Sequence, residues 1–118
     1  NNLSLQIGDT VLTATLEENS SVQALREMLA DGPLVIDMED YADMEKVGSL
    51  GQSLPTNDEQ ITTEAGDLIL YQGNSFVIYY APNSWNFTRL GKINDVSGEE
   101  LREILGEGDV SVTLSLTE

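Results

Sequence analysis

The chain reads as a mainly β protein, a closed antiparallel β-barrel with two short peripheral helices, and three observations carry that reading. Apolar residues alternate with polar ones in segment after segment between Leu3 and Leu116, which is the period of strands with one buried face. Two pairs of these segments are joined by short glycine-containing turns suited to hairpins. Only two stretches carry helical spacing, and neither stands as a crossover between parallel strands, which argues against a doubly wound sheet.

Leu3, Leu5 and Ile7 alternate with polar residues, and after Gly8-Asp9 so do Leu12, Ala14 and Leu16. With Gly8-Asp9 as a two-residue turn, Leu5 faces Leu12 and Leu3 faces Ala14, so all six apolar side chains share one side of the ribbon. Ser20 with Gln23 has the form of a capping box, followed by Val22, Leu25, Met28 and Leu29 at helical spacing and Gly32 as a stop. Pro33 to Met38 then reads as a strand, with Pro33 tolerated at its start.

From Glu39 to Gly66 periodicity fails, and a loop this long is more often functional or locally structured than idle. Short strand pieces are expected near Val47 to Leu50 and Gln60 to Thr63. Leu68 to Tyr71 and Phe76 to Tyr80 flank Gln72-Gly73-Asn74-Ser75 as a hairpin with Gly73-Asn74 as its turn. That register puts Ile69, Tyr71, Phe76 and Ile78 on one face and Leu68, Leu70, Val77 and Tyr79 on the other. A ribbon apolar on both faces belongs in the middle of the fold, one face inside the barrel and the other covered.

Ser97 and Glu100 form a second capping box, with Val96 and Leu101 as its hydrophobic staple. Leu101, Ile104 and Leu105 supply the buried stripe, and Gly106 ends the helix. Val110 to Leu116 alternates without a break as the last strand. Gly8-Asp9, Gly66-Asp67 and Gly108-Asp109 each introduce a strand at irregular intervals, which reads as shared turn chemistry and not as a repeat.

Composition bounds the function. The 118 residues suit a single domain over 1–118, long enough to build a core without staples. The absence of histidine and cysteine removes Ser-His-Asp and Cys-His nucleophiles, the usual zinc and haem ligands, and disulfides. With 21 Asp and Glu against 5 Lys and Arg, a net charge of −16 repels nucleic acid, so none is expected as a partner. No run approaches the roughly 20 apolar residues of a membrane span. The chain begins Asn1-Asn2 without methionine, which accommodates an upstream signal, lipid anchor or fused domain. Extracytoplasmic and cytoplasmic locations both fit, since a lack of cysteine decides neither.

Several stretches carry a resemblance. They are Met38-Glu39-Asp40-Tyr41 with Glu45-Lys46, Leu50 through Ser53-Leu54-Pro55, Gly66-Asp67-Leu68-Ile69-Leu70-Tyr71, Ile78-Tyr79-Tyr80, and Arg89-Leu90-Gly91-Lys92-Ile93. In order and spacing the chain resembles the bacterial cyclophilin-like family, small acidic domains of uncharacterised function. The resemblance implies a cyclophilin-like barrel over nearly the whole chain, and some relatives are fused to flavodoxin-like domains or follow export signals. True cyclophilins carry a Phe-His-Arg type motif soon after the third strand. The corresponding stretch here, Met38 to Leu54, holds no Phe, His or Arg, which argues against proline isomerase activity.

Among residues that carry chemistry, Asp37, Glu39, Asp40, Asp43 and Glu45 form the densest acidic stretch, but their spacing matches no calcium loop and no metal site is expected. Gly73-Asn74 lacks the Lys and Ser/Thr of a phosphate loop, and paired carboxylates of a glycosidase cannot be picked out among 21 acids. Asn86-Phe87-Thr88 is a glycosylation sequon in form only. The informative segment is Tyr80 to Arg89, which places the only Trp, a Phe and one of three arginines beside a proline-containing turn.

A ligand-binding site of Tyr41, Gln72, Tyr80, Trp85, Phe87 and Arg89 at the barrel mouth is therefore expected, without catalytic residues, cofactor or metal. Aromatics would supply flat apolar contact and Arg89 a fork for a carboxylate or phosphate. The competing arrangement has Trp85 and Phe87 plugging the barrel end and Arg89 paired with an internal acid. Non-catalytic binding of a peptide or small molecule is the expected function. The alternatives are a divergent peptidyl-prolyl isomerase, in which Arg89 stabilises the twisted amide, and a structural accessory domain of a larger or exported protein.

Overall fold

A computed structural model of the protein describes residues 2–117, in which nine strands and two helices follow the chain order. They are β1 (Asn2–Ile7), β2 (Thr10–Leu16), α1 (Ser20–Ala30), β3 (Leu34–Tyr41), β4 (Glu45–Ser49) and β5 (Glu59–Thr62), then β6 (Asp67–Tyr71), β7 (Ser75–Tyr79), β8 (Ser84–Ile93), α2 (Gly98–Leu105) and β9 (Val110–Thr117). Hydrogen bonding runs β2-β1-β9-β3-β4-β7-β6-β8, and β8 pairs back onto β2, so eight antiparallel strands close a barrel. The ninth, β5, pairs with the outer end of β8 from Ser84 to Phe87.

The first hairpin has the expected register, with Leu5 opposite Leu12, Leu3 opposite Ala14 and Ile7 opposite Thr10. Because side chains alternate, Leu3, Leu5, Ile7, Ala14 and Leu16 all enter the core. Closure takes place where Leu16 meets Gly91 and Ala14 meets Ile93. A β-carbon on Gly91 would collide with the Thr15 carbonyl oxygen, so this seam requires a residue without a side chain.

Helix α1 begins one residue earlier than the sequence pattern implies. Asn19, in extended conformation, caps it by accepting a 2.8 Å bond from the Val22 amide, so the Ser20/Gln23 box does not form. The Asn19 Nδ2 also donates to the Arg89 carbonyl at 3.0 Å, tying the helix start to β8. Ser20 instead accepts from Asn57. Helix α2 has the expected capping box, with Ser97 and Glu100 exchanging bonds of 3.0 and 3.1 Å, and it ends at Gly106.

The central hairpin differs from the expected register by one residue. Its loop has three residues, Gln72-Gly73-Asn74, with Gln72 and Gly73 both at positive φ, and Tyr71 stands opposite Ser75. The long middle segment causes the extra residue to be retained: the amides of Leu50 and Leu54 bond to the carbonyls of Asn74 and Gly73 at 2.9 and 2.7 Å. Leu68, Leu70, Phe76, Ile78 and Tyr80 consequently enter the barrel core, whereas Ile69, Val77 and Tyr79 join Phe87 in a separate cluster on the outer wall. The ribbon is two-sided as expected, but Phe76 and Ile78 exchange faces with Val77 and Tyr79.

The segment from Leu50 to Asp58 straps one barrel end. Leu50 and Leu54 join the core, Ser21 Oγ bonds to the Pro55 carbonyl, and the Asn57 amide bonds to Thr88 Oγ1 at 2.7 Å. Among the described residues no helix is long and apolar enough to cross a membrane.

Candidate functional site

Strand β3 continues to Tyr41, past the expected end at Met38, and turns into β4 through Ala42-Asp43-Met44, where Ala42 and Asp43 both adopt φ 54°. The turn delivers Glu45 to a position between two tyrosines, directly opposite Tyr41 on β3 and Tyr79 on β7. Cross-strand neighbours share a face at a Cβ spacing of roughly 5 Å. Glu45 thus lies in a row of two phenols on the outer wall, while Lys46 turns to the other face.

This row borders a cavity of about 400 Å³. Val47, Tyr71, Tyr79 and Phe87 form its apolar base, where the Phe87 ring lies 5.5 Å from Tyr79 and 6.1 Å edge-on from Tyr71. Tyr41 and Trp85 stand at the rim, 60% and 59% exposed. Strand β5 sets Trp85, since Ile61 pairs opposite it and packs on the cluster beneath. Met44 and Asn83 complete the lining, and Asn83 Nδ2 donates to the Tyr79 hydroxyl at 3.2 Å.

Glu45 is only 8% exposed. Burial pushes its carboxyl above the ordinary value, and the negative charge of Asp40 adds to this, against a hydrogen bond from Tyr79 that pulls the other way. The Tyr79 hydroxyl is pushed above its ordinary range, first by burial and then by Glu45.

A second set of charged groups lies beside α2. Lys46, completely buried, donates to the Gly108 carbonyl at 2.6 Å and lies 3.2 Å from Asp40. The Tyr80 hydroxyl bonds to Asp40, and Arg102 packs 4.6 Å over the Tyr80 ring while meeting Asp43 at 2.9 Å. These groups satisfy one another, which is the arrangement a structural charge network requires.

The structure brings Tyr41, Trp85 and Phe87 together in the outer-wall cavity. It does not bring the other three expected residues there. Tyr80 belongs to the network beside α2. Gln72 lies exposed in the hairpin loop. Arg89 holds buried Asp67 at 3.3 Å, as the competing arrangement anticipated for it. The cavity also lies on the barrel's outer wall and not at its mouth, because the side chains within the barrel leave the face of Tyr79 and Phe87 outside. Glu45, Val47, Tyr71 and Tyr79 were not singled out by the sequence pattern. The alternation of Glu45 and Val47 about Lys46 was the available signal, but it lies in a stretch too acidic to be distinctive.

The acidic run from Asp37 to Glu45 is dispersed by the same alternation. Asp37 accepts from Ser111, Asp40 and Asp43 meet Lys46 and Arg102, and Glu45 enters the pocket. Among the described residues, no three acidic side chains come together to hold a metal ion.

A family model described as the Cyclophilin-like family matches residues 5–115. No curated protein matches the sequence. Among solved structures, the hypothetical protein AF2241 from Archaeoglobus fulgidus is similar with a TM-score of 0.67 at 15% identity, over 98% of this chain and 94% of that one. McbB, solved in complex with tryptophan, is similar with a TM-score of 0.61 at 14% identity. That likeness covers 98% of this chain but 46% of McbB. At these identities the likeness to both structures is one of fold.

Proposed function

The chain belongs to the cyclophilin-like family, and from that premise we propose that it is a non-catalytic binding domain whose outer-wall pocket takes a small molecule or a peptide side chain. The observation that carries this reading is an aromatic cavity of about 400 Å³ whose rim leaves Trp85 and Tyr41 some 60% exposed. Large aromatic side chains left in water beside a concave apolar surface are a cost that folding does not require and that a ligand removes. The volume falls within the range of small-molecule sites, roughly 300–1,000 Å³. That McbB has been solved with tryptophan is in keeping with a barrel of this shape accommodating a small molecule.

Isomerase chemistry finds less support. Its electrostatic group would be Arg89, which is engaged with Asp67 and is not among the residues lining the pocket. The test is an NMR titration of the isotope-labelled chain with L-tryptophan and, separately, with an acetylated Ala-Pro-Phe peptide. Binding here moves the Trp85 indole signal and the amides of the β3–β4 turn and β7, and Trp85→Ala weakens it. Shifts confined to another face, or none with either probe, would overturn the reading. Acceleration of Ala-Pro isomerisation in the same samples would replace it with the catalytic one.

A further inference from the structure

Resting on the binding reading above, we infer that this pocket recognises an organic cation, an ammonium group on a short alkyl stem, with its head against Glu45 and its stem between Trp85 and Tyr41. Three features of the site converge on that chemistry.

The first is Glu45 itself, a carboxylate 8% exposed in the lining of an apolar cavity. Neighbouring cations are committed elsewhere: Lys46 to Asp40, Arg89 to Asp67, Lys92 to Glu64 and Arg102 to Asp43. No lysine or arginine lines the cavity among the described residues. A buried carboxylate held only by hydrogen bonding to a phenol is a costly group, and the upward push on its proton affinity expresses that cost. A ligand that brings a positive charge relieves it, whereas a neutral ligand seals it further from water and an anion adds repulsion.

The second feature is the wall. Tyr41, Tyr71, Tyr79, Trp85 and Phe87 surround the site, and the faces of aromatic rings carry the negative part of their quadrupole, which attracts ammonium groups. Aromatics grouped around one carboxylate select a cation with apolar flanks over a bare metal ion, which would need several oxygen ligands that the pocket does not supply. The third is the whole-chain charge of −16, which raises the local concentration of cations and disfavours anionic ligands.

An alkylammonium can come from a free amine or from the lysine side chain of a peptide, and the experiment separates these sources. The full chain is titrated with n-butylammonium, its neutral analogue n-butanol, and the peptide acetyl-Gly-Lys-Gly-amide, with Trp85 fluorescence and amide shifts as readouts. Butylammonium is expected to bind at about the millimolar level, as befits so small a probe, and about tenfold tighter than butanol. Glu45→Gln abolishes that preference while leaving butanol binding intact. Glu103→Gln, which removes one exposed charge on α2, leaves both affinities unchanged and so separates the site from general charge attraction.

A lysine peptide that binds more tightly than butylammonium assigns the ligand to a peptide side chain, and the reverse assigns it to a free amine. Equal affinity for butylammonium and butanol, or undiminished cation binding by Glu45→Gln, overturns the inference but leaves the pocket a binding site. If butylammonium, butanol and L-tryptophan all fail to perturb Trp85, both readings fall together.

Discussion

Glu45 stands directly opposite Tyr79 across the β4–β7 ladder, a carboxylate facing a phenol on the outer wall, while the basic residue next to it in sequence, Lys46, turns to the opposite face and is consumed by Asp40 and Gly108. The titratable groups around Glu45 are Tyr41, Tyr71 and Tyr79 from the pocket, and Asp40 repels its charge from nearby. Burial first, and then the charge of Asp40, outweigh the Tyr79 hydrogen bond, so the folded state holds the Glu45 proton more tightly than the unfolded chain does.

The stability consequence has a definite sign. A carboxyl whose folded value is raised destabilises the folded state as pH climbs from the ordinary 4.5 through the raised value, and contributes no penalty below 4.5. Glu45→Gln therefore raises Tm at neutral pH by a few degrees, the change that about 1 kcal/mol produces in a domain of this size. Calorimetry below pH 4.5 should find the variant and the parent alike.

Lys46 presents the opposite case, a buried charge that is fully partnered. Lys46→Ala leaves a cavity and takes the cation from Asp40 and the donor from the Gly108 carbonyl, for a loss of about 3–5 kcal/mol. Lys46→Met refills most of the volume and loses less, because Asp40 remains partly open to water. Urea midpoints of the two variants give the difference directly.

The barrel was legible where one face is apolar and the turn is short. Leu3 to Leu16 could be registered residue by residue, and Val110 to Leu116 assigned its buried face, because any slip would turn their leucines to water. Leu68 to Tyr80 offered no such signal, since both of its faces are apolar, and the bonds from Leu50 and Leu54 that retain a three-residue loop come from a segment without periodicity. The pocket suffered in the same way. Trp85 and Phe87 stood out by composition, but Tyr79 reached the outer wall only through that register, and Glu45 only through a turn with two non-glycine residues at positive φ.

Tyrosine ionisation reads that register in solution. The Tyr79 and Tyr80 hydroxyls are both pushed above their ordinary value of 10, each first by burial and then by a carboxylate partner, Glu45 for Tyr79 and Asp40 for Tyr80. In an alkaline absorbance titration, Tyr79→Phe and Tyr80→Phe should each reduce the step that accompanies unfolding. Stability falls as pH rises past 10, because the unfolded chain releases these protons first.

At the closing seam, Gly91→Ala drives a methyl group against the Thr15 carbonyl, a backbone atom that cannot rotate away. The variant is expected to lose about 1–3 kcal/mol, the usual cost of overpacking. Hydrogen exchange should show the loss concentrated at the β2–β8 pairing from Ala14 to Leu16, where the barrel opens first.

The β3–β4 turn permits a gain. Ala42 is held at φ 54°, a left-handed conformation that costs an L-residue roughly 1–2 kcal/mol and glycine almost nothing. Glycine loses about 0.5–1 kcal/mol of that advantage through the greater freedom of its unfolded chain, so Ala42→Gly should stabilise the protein by about 0.5–1 kcal/mol. Ala42 is exposed and makes no part of the cavity lining, so its methyl group has no packing to forfeit. Thermal unfolding measures the gain. An NMR comparison of the Tyr41 and Glu45 signals then shows whether the relaxed turn still presents that pair opposite one another, as the pocket requires.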